Sequence, residues 1–112
     1  MAPKVKRNAA FLHKVYKGPA RVRKDLISNA SSEQIKSLCE CALNVCSKRV
    51  KPLAKDVKRL RSKQANLLRL AFVPESIEDK RKLLIQSGGA LPILASLGLS
   101  ALGSIIPSLF GR

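Results

Sequence analysis

With 112 residues the chain has room for one small domain, able to bury only about 65% of its unfolded surface, and most multi-part catalytic architectures are too large for it. Lys and Arg number 22 against 7 Asp and Glu, a formal charge of +15 that points to a polyanionic partner. A hydrophobic content of 46% excludes a basic tail disordered from end to end, so charge and apolar residues have to be segregated along the sequence.

They fall into three zones. Every acid lies between Asp25 and Asp79, and no charged residue stands between Leu83 and Gly111. The first zone, 1–25, is a basic arm carrying Lys4, Lys6, Arg7, Lys14, Lys17, Arg21, Arg23 and Lys24, with Pro3 and Gly18-Pro19 as breakers. Between the breakers there is room for two or three helical turns at most, over 8–17. The arm is expected to be flexible and to contact phosphates or act as a nuclear import signal. Lys14 and Lys17 interrupt the apolar run, so secretion through a cleaved signal is not expected. An acid-free start also fits a mitochondrial presequence, but Ser richness and a clean apolar face are missing.

The second zone, 26–87, is expected to be an amphipathic helical domain. Ser31 stands three residues ahead of Gln34, which satisfies the capping-box pattern and predicts a helix beginning there. Ile35, Leu38, Cys39, Ala42, Leu43 and Cys46 then form an apolar stripe, with Lys36, Ser37, Glu40, Asn44 and Ser47 facing water. A second helix is predicted over 52–72 with Pro52 at its first position. Leu53, Val57, Leu60, Gln64, Leu67, Leu68 and Ala71 share one arc, and Lys55, Lys58, Arg59, Lys63 and Arg69 spread over the rest. With Lys48, Arg49, Lys51 and Arg61 this makes the outer surface positive. Ser76 with Glu78 and Asp79 in the first turn and Gly88-Gly89 as the stop predict a third helix over 77–86.

Cys39, Cys41 and Cys46 do not have zinc-site spacing and the one His is the distant His13, so no metal or cofactor is expected. Free thiols packing in a reducing compartment are the default. Nucleophile elbows and phosphate-cradling Gly-rich loops are missing too, and Glu75, Glu78 and Asp79 complement a helix dipole. A non-enzymatic protein is expected. Base readout by the second helix is disfavoured against simple phosphate contact, because nothing fixes a recognition position.

The third zone, 88–112, is uncharged up to Arg112. A helix over 92–106, bounded by Pro92 and Pro107, would span about 22 Å, short of a hydrocarbon core of about 30 Å unless it continues through the kink. Ser96, Ser100, Ser104 and Ser108 form a small-residue ridge against a broad Leu/Ile face. Leu91, Ile93, Leu94, Leu97, Leu102, Ile105, Ile106, Leu109 and Phe110 are the membrane-interacting set if the tail inserts. Alternatively the tail completes the core of the middle zone; against this, a surface helix is seldom apolar almost all round.

A basic segment followed by Gly88-Gly89, then Ala90-Leu91-Pro92-Ile93-Leu94 and a Gly/Ala/Ile/Leu-rich tail, resembles the precursors of the adenovirus core protein mu (protein X) family over roughly the last 30 residues. Gln86-Ser87-Gly88-Gly89-Ala90 is also similar to the Gly-Gly sites cut by adenovirus-type maturation proteases. The resemblance implies cleavage between Gly89 and Ala90. The stretches LISNASSEQIKSLCECALNV and KRKLLIQSGG resemble small mu-like proteins of adintoviruses and Polinton (Maverick) elements over most of 26–89. The charge here is richer in Lys and mixed with acids, unlike the dense Arg/His runs of mu.

The fold expectation is all-α: a small helical hairpin or three-helix unit with a disordered basic arm and an apolar C-terminal helix. The resemblance implies a virion core protein that binds genomic double-stranded DNA non-specifically, located in the virion and host nucleus. Its further expected partners are a host membrane or capsid protein reached through the tail, a maturation protease, and copies of itself. Two other readings stand beside it: a membrane-active effector without a genome role, and a small regulatory DNA-binding protein.

Overall fold

In the computed structural model, residues 7–48 and 51–103 are described, the last three of them by backbone alone. The class is all-α, with no strand among the described residues. In chain order the elements are α1 (Ala9–Lys17), α2 (Ala20–Ser28), α3 (Ser32–Cys46), α4 (Ala54–Ser62), α5 (Gln64–Phe72), α6 (Ile77–Ser87), a 3₁₀ turn (Gly88–Ala90) and α7 (Leu91–Gly103). The architecture is larger than a hairpin or three-helix unit, because the first and third zones both add helices to it.

α3 is the centre. Its start is the expected capping box: the Gln34 amide donates to Ser31 Oγ at 3.1 Å, and the Ser31 amide donates to Gln34 Oε1 at 2.9 Å. α5, α6 and α7 all pack against it. A helix clasped on several sides has little water-facing surface, so Ser37, Cys41 and Asn44 are buried beside the expected Ile35, Leu38, Cys39 and Ala42, whereas Leu43 and Cys46 are only partly covered. Ser37 tolerates burial because its hydroxyl donates to the Gln34 carbonyl at 2.6 Å.

The described part of the expected flexible arm is ordered helix. Phe11, Leu12 and Val15 of α1 are buried, and α1 makes its most extensive contact with α7. Apolar residues at i, i+1 and i+4 form a narrow inward stripe whose burial outweighs the solvation of the charges between them. The chain turns at Gly18-Pro19. A Cβ on Gly18 would lie 2.9 Å from the Lys14 carbonyl oxygen and 3.0 Å from Val22 Cγ1, so this close approach requires glycine. Arg7 reaches Glu33 on α3 at 2.6 Å and ties the start of α1 down.

The single helix expected over 52–72 is two. α4 ends at Ser62, whose hydroxyl donates to the Arg59 carbonyl at 2.7 Å, and Lys63 leaves helical geometry with φ −115°. A side chain competing for a helix carbonyl is a recognised cause of such bends. α4 is capped at Leu53, so Pro52 precedes the helix and does not open it. The reorientation puts Leu70 in the core with Leu60 and Leu67, while Leu53 and Leu68 are exposed.

α6 begins as expected, with the Asp79 amide donating to Ser76 Oγ at 3.1 Å. Gly88, at φ 41°, does not terminate the structure: the chain passes through the 3₁₀ turn directly into α7. By length and composition the run Ile77–Ser100 could cross a membrane, but more than half of its most apolar window is buried inside the fold. Ala90, Leu91, Ile93, Leu94, Ala95 and Leu99 close the core against α1 and α3. Of the expected membrane-interacting set, Leu91, Ile93 and Leu94 are buried in this fold, and Leu97 is partly buried against the same core.

Candidate nucleic-acid interface

The cations divide by what already holds them. Arg7 is paired with Glu33, and Arg69 with Glu75 at 2.5 Å. Arg23 donates to the Gly18 carbonyl at 3.0 Å and stabilises the α1–α2 turn. These three are less available to phosphate than the sequence suggests. Lys14, Lys17, Arg21, Lys24, Lys48, Lys51, Lys55, Lys58, Arg59 and Arg61 are exposed, Lys63 is half-buried, and none of them is ion-paired among the described residues. Lys4, Lys6 and Arg49 lie outside the described residues, as do Ile105, Ile106, Leu109, Phe110 and the side chain of Leu102.

Two cation-rich helices converge. α2, with Arg21, Arg23 and Lys24, and α4, with Lys55, Lys58, Arg59 and Arg61, both pack on the 3₁₀ turn Gly88–Ala90. Each of these helices carries one acid, Asp25 and Asp56 respectively. At the junction the Arg59 side chain runs over Gly89, its Cδ 3.5 Å from where a Cβ on Gly89 would stand. Gly89 is exposed, so main chain is open to close approach beside a guanidinium, which is the donor best suited to a phosphate's paired oxygens.

Gly88-Gly89-Ala90, the segment expected to be a candidate cleavage site, is folded into this junction. Ala90 is fully buried, and the segment is a 3₁₀ turn between two helices. Nicking favours exposed loop tips, so cutting after Gly89 requires the turn to open first.

One basic residue that sequence reasoning left out has a structural role. Arg81 Nη1 donates to the carbonyls of Ile27 at 2.7 Å, Ala30 at 2.9 Å and Ser28 at 3.3 Å, and Arg81 Nε donates to Glu78 at 3.3 Å. The guanidinium thus caps the C-terminal end of α2, where the helix dipole favours positive charge, and locks α2 onto α6. Its carbonyl partners lie more than fifty residues away, so no local pattern signals them.

Two of the thiols are buried and the third is partly so. All three are free; burial pushes Cys39 up to about 11 and Cys41 up to about 12, with Lys80 partly offsetting the shift at Cys39, and burial also raises Cys46. No cluster of metal-ligating side chains occurs among the described residues. Compared with known proteins, the chain matches no family model, no curated sequence and no solved structure.

Proposed function

We propose that this protein binds double-stranded DNA through its phosphates, without sequence preference, and that it serves as a core protein of a virion. The observation that carries the binding is the convergence of α2 and α4 on the open turn at Gly89, with Lys55, Lys58, Arg59 and Arg61 exposed and unpaired among the described residues. A formal charge of +15 adds the long-range attraction. The mu-like resemblance supplies the setting, genomic DNA packed in a virion and released in a host nucleus. The apolar tail contributes to this reading by holding the binding face together, since Ala90, Leu91, Ile93, Leu94, Ala95 and Leu99 are core.

The test is a salt series on the full chain with two unrelated duplexes. With at least six phosphate contacts, log K against log[salt] has a slope of about −5 or steeper, and affinity falls by about 10³ between 50 and 200 mM salt. Replacing Lys55, Lys58, Arg59 and Arg61 by Gln makes the slope shallower by about 3 to 4, and both duplexes respond alike. A slope shallower than about −2, or binding to one duplex that survives excess competitor, overturns the proposal.

A further inference from the structure

Phosphate binding leaves one apolar surface unused. Where the C-terminal end of α3 meets α4 and α5, a groove of about 310 Å³ is lined by Val57, Leu60, Leu67 and Leu68, with the exposed Lys48 and Arg61 beside them and no carboxylate among the described residues that line it. Phe72 follows Leu68 by one helical turn on the same face, and both are exposed, at 56% and 42%, so the apolar surface continues along α5 beyond the groove. Lys48 has φ 61°, the left-handed conformation in which a helix end ordinarily carries glycine. A lysine there sets an ammonium at the rim of the groove at a cost in backbone preference.

The chemistry selects the occupant. A phosphate backbone offers nothing to bury against Val57 and Leu68. A second copy would bring one +15 chain against another. A helix with an apolar stripe flanked by Asp and Glu answers both the floor and the edge. We infer that the groove between α3, α4 and α5 docks an acidic amphipathic helix of a partner protein, its apolar side chains on Val57 and Leu68 and its carboxylates on Lys48 and Arg61. The groove shares Arg61 with the proposed phosphate-binding face, but its apolar floor meets no phosphate, so a change confined to Leu68 tests it apart from the DNA-binding proposal.

Cys46 lines the groove and is only partly buried, whereas Cys39 and Cys41 are buried, so its alkylation rate in the full-length protein reports occupancy. The probe is a synthetic amphipathic helix with Leu and Phe on one face and Glu beside them, read by fluorescence anisotropy. It is expected to bind and to slow Cys46 alkylation, and a version with Ala for Leu and Phe binds about tenfold or more weakly. Leu68→Asn, which adds no charge beside Arg61, weakens binding by a similar factor while leaving the salt slope of DNA binding unchanged. Lys48→Gly weakens peptide binding although its melting temperature stays the same or rises, which separates loss of the site from loss of the fold. The inference is overturned by any of three results: absence of binding, equal binding of the Ala version, or duplex DNA protecting Cys46 as well as the peptide does.

Discussion

Ending the chain after Gly89 removes the buried Leu91, Ile93, Leu94 and Leu99 together with Ala90 and Ala95. At about 1.5–3 kcal/mol for each fully buried large side chain, the four Leu and Ile positions alone contribute about 6–12 kcal/mol. That equals the whole stability expected of a domain, about 5–15 kcal/mol. The loss also uncovers Phe11, Leu12 and Val15, since α1 packs chiefly on α7. The truncated chain is therefore expected to show no cooperative urea transition by circular dichroism and to bind a hydrophobic dye, in the manner of a collapsed but unpacked state. In the full-length chain the milder Leu94→Ala change should retain cooperativity and cost about 2–5 kcal/mol. A truncated protein that unfolds cooperatively at the same urea midpoint as the full chain would refute the assignment of α7 to the core.

Arg81→Met, which keeps the aliphatic stem and removes the donors, is expected to destabilise the fold by about 1.5–3 kcal/mol, the range for hydrogen bonds to a charged group. Amide exchange should then accelerate in α2 more than in α3; uniform acceleration would mean that Arg81 does not act through the α2 carbonyls. Cys39 and Cys41 have folded values of about 11 and about 12, above the ordinary 9.0, so their neutral burial stabilises the fold fully below pH 9 and that contribution is lost as pH rises through 9 towards those values. The urea midpoint should accordingly be flat in these groups' contribution up to about pH 8.5 and fall above it, and Cys41→Ala should flatten the fall. Equal slopes in both proteins would show that other groups cause it.

Local chemistry was legible wherever a side chain bonds its own neighbourhood. The Ser31–Gln34 box and the Ser76 cap each set a helix start, because both partners lie within one turn. The break in the predicted 52–72 helix depended on the Ser62 hydroxyl choosing the Arg59 carbonyl, an option that serine carries in any helix and exercises only in some. Arg81 was opaque for the opposite reason, since its three carbonyl acceptors come from a helix end far away in sequence. At the candidate interface, the cations of α4 were legible from their spacing. Their meeting with α2 at Gly89 was not, because it requires the topology of α6, the 3₁₀ turn and α7.

The three zones read from charge turn out to be layers of one body. A helix that is apolar almost all round is buried in a large core, in a membrane or in an assembly, and in a chain this short the core is easily passed over. Here α7 has that core position because α1 and α3 cover it, and α1 can do so only by facing Phe11, Leu12 and Val15 inward while His13, Lys14 and Lys17 remain outside. The same division gives α4 a single fully buried residue, Leu60, and leaves Lys55, Lys58, Arg59 and Arg61 at the surface. Separation of charge from apolar residues along the sequence thus becomes separation of outside from inside. It follows that the basic face has no support of its own: the turn that carries Gly89 and Arg59 is held in place by the helix on either side of it, and releasing the apolar tail would dismantle the phosphate-binding surface along with the core.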